Sequence, residues 1–264
     1  MSRVSIVDLQ RMKAEKRKIV VMTAYDYTVA RIVDRAGVDV ILVGDSGGRY
    51  ALGHDDSNEV TVDEMVIMAR AARRGSERAM VVGDMPFMSY QVNDEQAVHN
   101  AGRLIQEAGV QAVKLEVGAE YASTVAAVVR AGIPVMAHMG STPMANIGAG
   151  DFRSGSVDQE QVWRDARELV QAGSFSLLLT GISADLAQRI TAEVRVPTIA
   201  GFGAGDHCDG QIGVTHPTVG LASDELDRRR SNYGPVAVAL LEAAEQFTRD
   251  VRDGKPVRSK RDAG

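Results

Sequence analysis

"RAGVDVILVGDSGG", residues 35–48, contains a helix end, a glycine, a short Val/Ile run and then an abrupt stop on Asp45, Ser46 and two glycines. A glycine just past a helix supplies the left-handed conformation that lets the chain turn away. A run that is apolar at nearly every position suits a strand buried on both faces, as in a parallel sheet covered by helices. The phrase recurs as "EAGVQAVKL" (107–115), "RAGIPVMAH" (130–138) and "QAGSFSLLL" (171–179), with Gly109, Gly132 and Gly173 in the place of Gly37. One supersecondary unit is being repeated.

Outward from these phrases, strands are predicted at 18–24, 38–44, 79–84, 111–116, 133–139, 175–180 and 197–203, with a weaker eighth, "QIGVTH", at 211–216. Segments of helical period lie between them near 27–36, 61–74, 94–108, 119–131, 157–172 and 183–194, and a last one near 234–252. Seven or eight such units predict a single-domain (β/α)₈ TIM-type barrel over residues 1–264, with a doubly wound open sheet as the alternative. No linker or low-complexity stretch divides the chain.

Composition sets the outer limits. The 264 residues are 45% hydrophobic and 25% charged, with a net charge of -5. That balance gives no footprint for nucleic acid or an anionic membrane. The basic runs "RMKAEKRK" near the start and "RSKRDAG" at the end read most simply as solvated termini. The single cysteine, Cys208, forbids an internal disulfide. No apolar stretch approaches the roughly 18 residues that cross a bilayer, and the N-terminus lacks a signal-peptide core. A cytoplasmic protein is expected.

In parallel α/β folds, ligands bind at the C-terminal ends of the strands. Asp45, Asp84, Glu116 and His138 all fall there, on four predicted strands, and in a barrel they converge on one rim. Three carboxylates so placed repel one another unless a cation intervenes, and all-oxygen ligation suits Mg²⁺. Lys114 shares the strand face of Glu116 and can hold a substrate anion. Such a site would chelate a 2-oxo acid, with the metal stabilising an enolate. Any one of the acids, taken alone, is as well explained as a loop or helix cap, and Ser46 as a turn cap. His138 alone is equally well a satisfied buried histidine. His54, His99, His207, His216 and Cys208 have no evident chemistry, and Met22, Met80, Met85 and Met88 read as packing.

At these residues the chain resembles the ketopantoate hydroxymethyltransferase family of the phosphoenolpyruvate/isocitrate lyase superfamily. The resemblance runs over nearly the whole chain and is strongest in "TAYDY", "GDMPFMSYQ", "KLE", "IPVMAHMG" and "CDGQ". It implies a decameric barrel that uses Mg²⁺ to transfer a hydroxymethyl group from 5,10-methylenetetrahydrofolate to 3-methyl-2-oxobutanoate, giving 2-dehydropantoate in pantothenate biosynthesis. It also implies Asp45, Asp84 and Glu116 at the metal, with Asp45 and Asp84 also beside the substrate. Ser46 and Lys114 would hold the substrate, with His138 in the active site.

The departures concern the other half of the site. The family's proposed general base, a glutamate at the end of strand six, is Thr180 here, for which no activating partner is evident; Asp185 should point elsewhere. Asp55 or Asp56 could substitute. Asn58 and Glu59 replace an apolar residue and proline, and "STPMANIGAGDFRSG" keeps little of the family's pattern. The alternatives are therefore a related barrel aldolase, lyase or decarboxylase acting on another 2-oxo acid, and a non-catalytic homologue.

Overall fold

The computed structural model describes residues 2–141, 157–228 and 233–253. Eight parallel strands close into a barrel in chain order, β1 pairing with both β2 and β8. The strands are β1 (Ile19–Thr23), β2 (Val40–Val43), β3 (Met80–Asp84), β4 (Ala112–Glu116), β5 (Val135–Gly140), β6 (Ser176–Thr180), β7 (Thr198–Ala200) and β8 (Gly210–Gly213). The helices among them are α1 (Ile6–Ala14), α2 (Tyr27–Arg35), α3 (Val62–Gly75), α4 (Asp94–Arg103), α5 (Ala122–Arg130), α6 (Gln159–Gln171) and α7 (Ala184–Glu193). The open-sheet alternative is excluded.

Gly37, Gly109, Gly132 and Gly173 take φ values of 92°, 75°, 87° and 104°, the left-handed turn expected where each helix hands over to its strand. The eighth strand is displaced from its expected span: it occupies Gly210–Gly213, and Thr215–Thr218 is instead helical. Strand seven is shorter than expected because "GFG" leaves the sheet at Gly201.

Alternation divides the strand residues between two cores. Ile41, Val81, Val113, Leu115, Ala137 and Leu177 belong to one cluster with the surrounding helices. Ile19, Val21, Val40, Leu42, Met80, Val82, Ala112, Met136 and Leu178 form the other, inside the barrel. Two residues on from the inner set come Asp84, Lys114, His138 and Thr180, and Glu116 is two further still. The period of the strand thus aims all five inward at the C-terminal end. Pairing then fixes their neighbours: Asp84 lies opposite Lys114, Glu116 opposite His138, and Gly140 opposite Thr180.

The inner core is closed by α1, which overturns the expectation of a solvated N-terminal run. Leu9 and Met12 are each 1% exposed and belong to the inner cluster. Ser5 and Asp8 form a reciprocal capping box, which starts the helix despite its charges. Lys13, within "RMKAEKRK", donates to Asp209 at 2.8 Å. The C-terminal run "RSKRDAG" lies outside the described residues.

The turn between α3 and β3 is organised by Asp34, whose carboxylate accepts bonds from the backbone N–H groups of Glu77, Arg78 and Ala79 and from the Ser76 hydroxyl. Burial pushes this carboxyl up, but those donors outweigh it and hold it below the usual carboxylate range.

Contacts divide the chain into two compact units, Met1–Gly213 and Val214–Gly264. The first holds the complete barrel. The second contains α8 (Thr215–Thr218), α9 (Glu225–Arg228) and α10 (Val236–Arg252). Val236 and Ala237 donate to the carbonyls of Val219 and Gly220, which ties the start of α10 to the chain after α8. On α10, Val236, Leu240, Phe247 and Val251 recur at helical spacing and are exposed. No helix among the described residues is long and apolar enough to cross a membrane.

Candidate active site

Lys114 sits at the centre of the barrel mouth. Its Nζ lies 2.7 Å from Asp84 Oδ2, 3.5 Å from Glu116 Oε1 and 4.0 Å from Asp45 Oδ1. The ammonium and the Asp84 and Glu116 carboxylates are almost wholly buried. Burial pushes the Lys114 pKa down, but Asp84, Glu116 and Asp45 outweigh it and hold the pKa above the ordinary lysine value. Burial pushes the Asp84 carboxyl up to about 8; Lys114 opposes this, while Asp45 and Glu116 add to it. The mouth therefore gathers three carboxyl groups around one ammonium, with Asp84 the one held towards its protonated form.

Asp84 shows where further positive charge fits. Its Oδ2 accepts from Lys114 and from the backbone N–H of Asp45, the latter at 3.1 Å. Its Oδ1 is buried and has no hydrogen-bond partner, and an unsatisfied buried carboxylate oxygen is costly. Among the described residues, no three His, Cys, Asp or Glu side chains stand together as a ready-made metal cage.

His138 links this charged centre to Thr180. Its Nδ1 lies 3.1 Å from Glu116 Oε1 and its Nε2 lies 2.9 Å from Thr180 Oγ1. Thr180 thus has the partner that sequence reasoning missed: strands five and six are adjacent, and both side chains face inward. With Nδ1–H donated to Glu116, a neutral ring leaves Nε2 free to accept the Thr180 proton.

The other candidates fall out as follows. Asp185 is exposed in the first turn of α7. Asp55 is exposed, and Asp56 is occupied in capping the turn Ser57–Glu59. Ser46 is half-buried, and its Oγ lies 2.8 Å from the Tyr25 hydroxyl, which donates to Thr23 Oγ1 at 3.0 Å. Met80 and Met85 are core residues as expected, whereas Met88 is 48% exposed at a φ of 62°. The "STPMANIGAGDFRSG" departure lies, beyond Ser141, outside the described residues.

Two tyrosines went unrecognised from sequence. Tyr25 follows the inward-facing Thr23 by two residues, a spacing that was available as a signal. Tyr90 is buried, donates to the backbone carbonyl of Glu116 at 2.7 Å and packs edge-on against Tyr121. Its position in a long loop gave no periodicity from which to read that role.

Residues 3–256 match the family model described as ketopantoate hydroxymethyltransferase. The chain belongs to this family. Among its relatives is the 3-methyl-2-oxobutanoate hydroxymethyltransferase of Chloroflexus aurantiacus (strain ATCC 29366 / DSM 635 / J-10-fl), 46% identical over 254 residues, which cover 96% of this chain and 90% of the relative. The enzyme of that name from Moorella thermoacetica (strain ATCC 39073 / JCM 9320) is also 46% identical, covering 96% and 95%. Ketopantoate hydroxymethyltransferase membership agrees with more distant structural likenesses, which bear on the fold alone. A 2,3-dimethylmalate lyase of the PEP mutase/isocitrate lyase superfamily superposes with a TM-score of 0.65 at 20% identity, over 97% of this chain and 90% of its own. A phosphonopyruvate hydrolase does so with 0.66 at 16%, over 98% and 93%.

Proposed function

We propose that this protein transfers a hydroxymethyl group from 5,10-methylenetetrahydrofolate to 3-methyl-2-oxobutanoate, forming 2-dehydropantoate for pantothenate biosynthesis. The observation that carries the reading is the convergence of Asp45, Asp84, Glu116 and Lys114 on one barrel mouth in a chain of this family. The donor set fits Mg²⁺: three hard oxygen ligands, an excess of negative charge and an orphaned Asp84 Oδ1. When bound, Mg²⁺ supplies Lewis-acid polarisation of the keto group.

The chain's own residues do the rest. Lys114 holds the anionic end of the oxo acid, helped by Ser46. The proton leaving C3 goes to Thr180 Oγ1 as that hydroxyl passes its own proton to His138 Nε2, with Glu116 holding the ring from the other side. A neutral imidazole is a workable base near neutral pH. The test is deuterium exchange at C3 of 3-methyl-2-oxobutanoate, followed by NMR in D₂O with protein and Mg²⁺ but no folate. Exchange supports the proposal; its complete absence overturns it.

Thr180 favours a second reading. An aldolase, lyase or decarboxylase acting on another 2-oxo acid breaks a C–C bond and needs no carboxylate to remove a C–H proton. Turnover of such an acid, without C3 exchange, would select it.

Two further parts of the proposal concern setting. The exposed apolar stripe of α10 supports assembly with other copies, and the family resemblance makes that assembly a homodecamer; light scattering tests this directly, and a monomer at all concentrations would refute it. The cytoplasm is the proposed location, supported by a single, buried and unpaired Cys208.

A further inference from the structure

Three hydroxyls run in a row from the end of β1 to the first loop of the site. Tyr25 is 2% exposed and Thr23 wholly buried, whereas Ser46 is half-buried. Tyr25 donates to Thr23 Oγ1 at 3.0 Å, and its oxygen lies 2.8 Å from Ser46 Oγ. A phenol has one proton and two acceptor sites. With that proton given to Thr23, the Ser46 hydroxyl is the donor in the second contact. Burial pushes the Tyr25 hydroxyl up to about 12, its bonds with Ser46 and Thr23 only partly opposing this, so Tyr25 keeps its proton at neutral pH.

We propose that Tyr25 is a positioning residue that sets the direction of the Ser46 hydroxyl, and so the affinity of the site for the carboxylate of its oxo-acid substrate. The inference rests on the reading of Ser46 as a substrate-holding residue. A carboxylate arriving at Ser46 competes for the Ser46 proton. Tyr25 turns its O–H from Thr23 to Ser46 Oγ. Each oxygen keeps its own proton. Phenylalanine fills the same space but cannot replace the lost donor, so Ser46 would meet the carboxylate unsupported. The chain then acts as a unit, polarised from its buried end.

The experiment is a double-mutant cycle on the full-length protein with Mg²⁺, reading the dissociation constant of 3-methyl-2-oxobutanoate by calorimetry and splitting kcat from KM. Tyr25→Phe and Ser46→Ala should each weaken binding about 10-fold, with KM rising and kcat little changed. Together they should weaken it by about the same 10-fold and not by roughly 100-fold, because the two act through one contact. Thr23→Val, which removes the far end of the row, should give a smaller loss of the same sign and serves if Tyr25→Phe does not fold. A Tyr25→Phe protein with unchanged affinity, where Ser46→Ala has lost it, overturns the inference alone. Effects that multiply also overturn it. If Ser46→Ala binds as the wild type does, the substrate-holding reading of Ser46 itself falls.

Discussion

Replacing Lys114 by methionine removes the one ammonium from a cluster of three carboxylates while keeping a chain of similar length. Each of its ion pairs, at 2.7, 3.5 and 4.0 Å, corresponds to about 4–6 kcal/mol of Coulomb attraction at an effective dielectric constant near 20. Much of that offsets the cost of taking the ammonium out of water. The net loss on breaking a buried pair from one side is about 3–5 kcal/mol. For a domain of this size that amounts to a fall in Tm of roughly 6–20 °C. The magnesium reading adds a sign that a simple packing defect would not give. Added Mg²⁺ should recover most of the loss, because it takes over neutralisation of the same carboxylates, and Lys114→Met should gain more from Mg²⁺ than the wild type does. Adding Asp84→Asn to Lys114→Met should also recover stability, now without metal. The assay is thermal unfolding of the three proteins, with chelator and with Mg²⁺. Lys114→Met melting with the wild type in chelator would refute the electrostatic account. Lys114→Met destabilised but unmoved by Mg²⁺ would refute the placement of the cation.

His138→Gln should lower the rate of C3 proton exchange by about 10²–10⁴, the usual contribution of a general base; an unchanged rate would show that the proton leaves through another group. Asp34→Asn should cost about 2–3 kcal/mol at neutral pH, since the amide offers N–H groups to backbone donors. Because the Asp34 pKa is depressed on folding, the stability it confers is present above the unfolded value near 4 and is lost as pH falls through the folded one. The gap between Asp34→Asn and wild type in denaturant melts should therefore close in acid, and a gap independent of pH would refute the role. Leu9→Ala should lower stability by about 2–5 kcal/mol, as for other fully buried leucines, whereas a solvated N-terminal run would show no change.

The barrel was legible because its repeat is chemical as well as periodic. The sequence places a glycine at each of four handovers, and each adopts the left-handed conformation that only glycine takes cheaply. Asp84, Lys114, Glu116 and His138 were legible for a related reason: polar groups at the end of a doubly buried strand have few destinations other than a site. The Thr180–His138 contact was not, because it depends on which strands are neighbours, and neither residue carries that information locally. The plugging role of α1 was hidden by its composition. Its two buried residues, Leu9 and Met12, stand three apart among charges, a face too narrow to register as a core helix.

That plug has a consequence for how the chain comes to be. Leu9 and Met12 share one core cluster with Phe175, Leu178 and Ile199, and Lys13 finds its partner 196 residues later in Asp209. At about 5–20 residues per second of synthesis, α1 waits roughly 10–40 s after it leaves the ribosome before its binding surface exists. During that interval an amphipathic helix with nowhere to dock travels with a growing set of open, unpaired strands. A segment made well before its partners is buried only after them, which makes Leu9 and Met12 a natural foothold for a chaperone acting on the nascent chain.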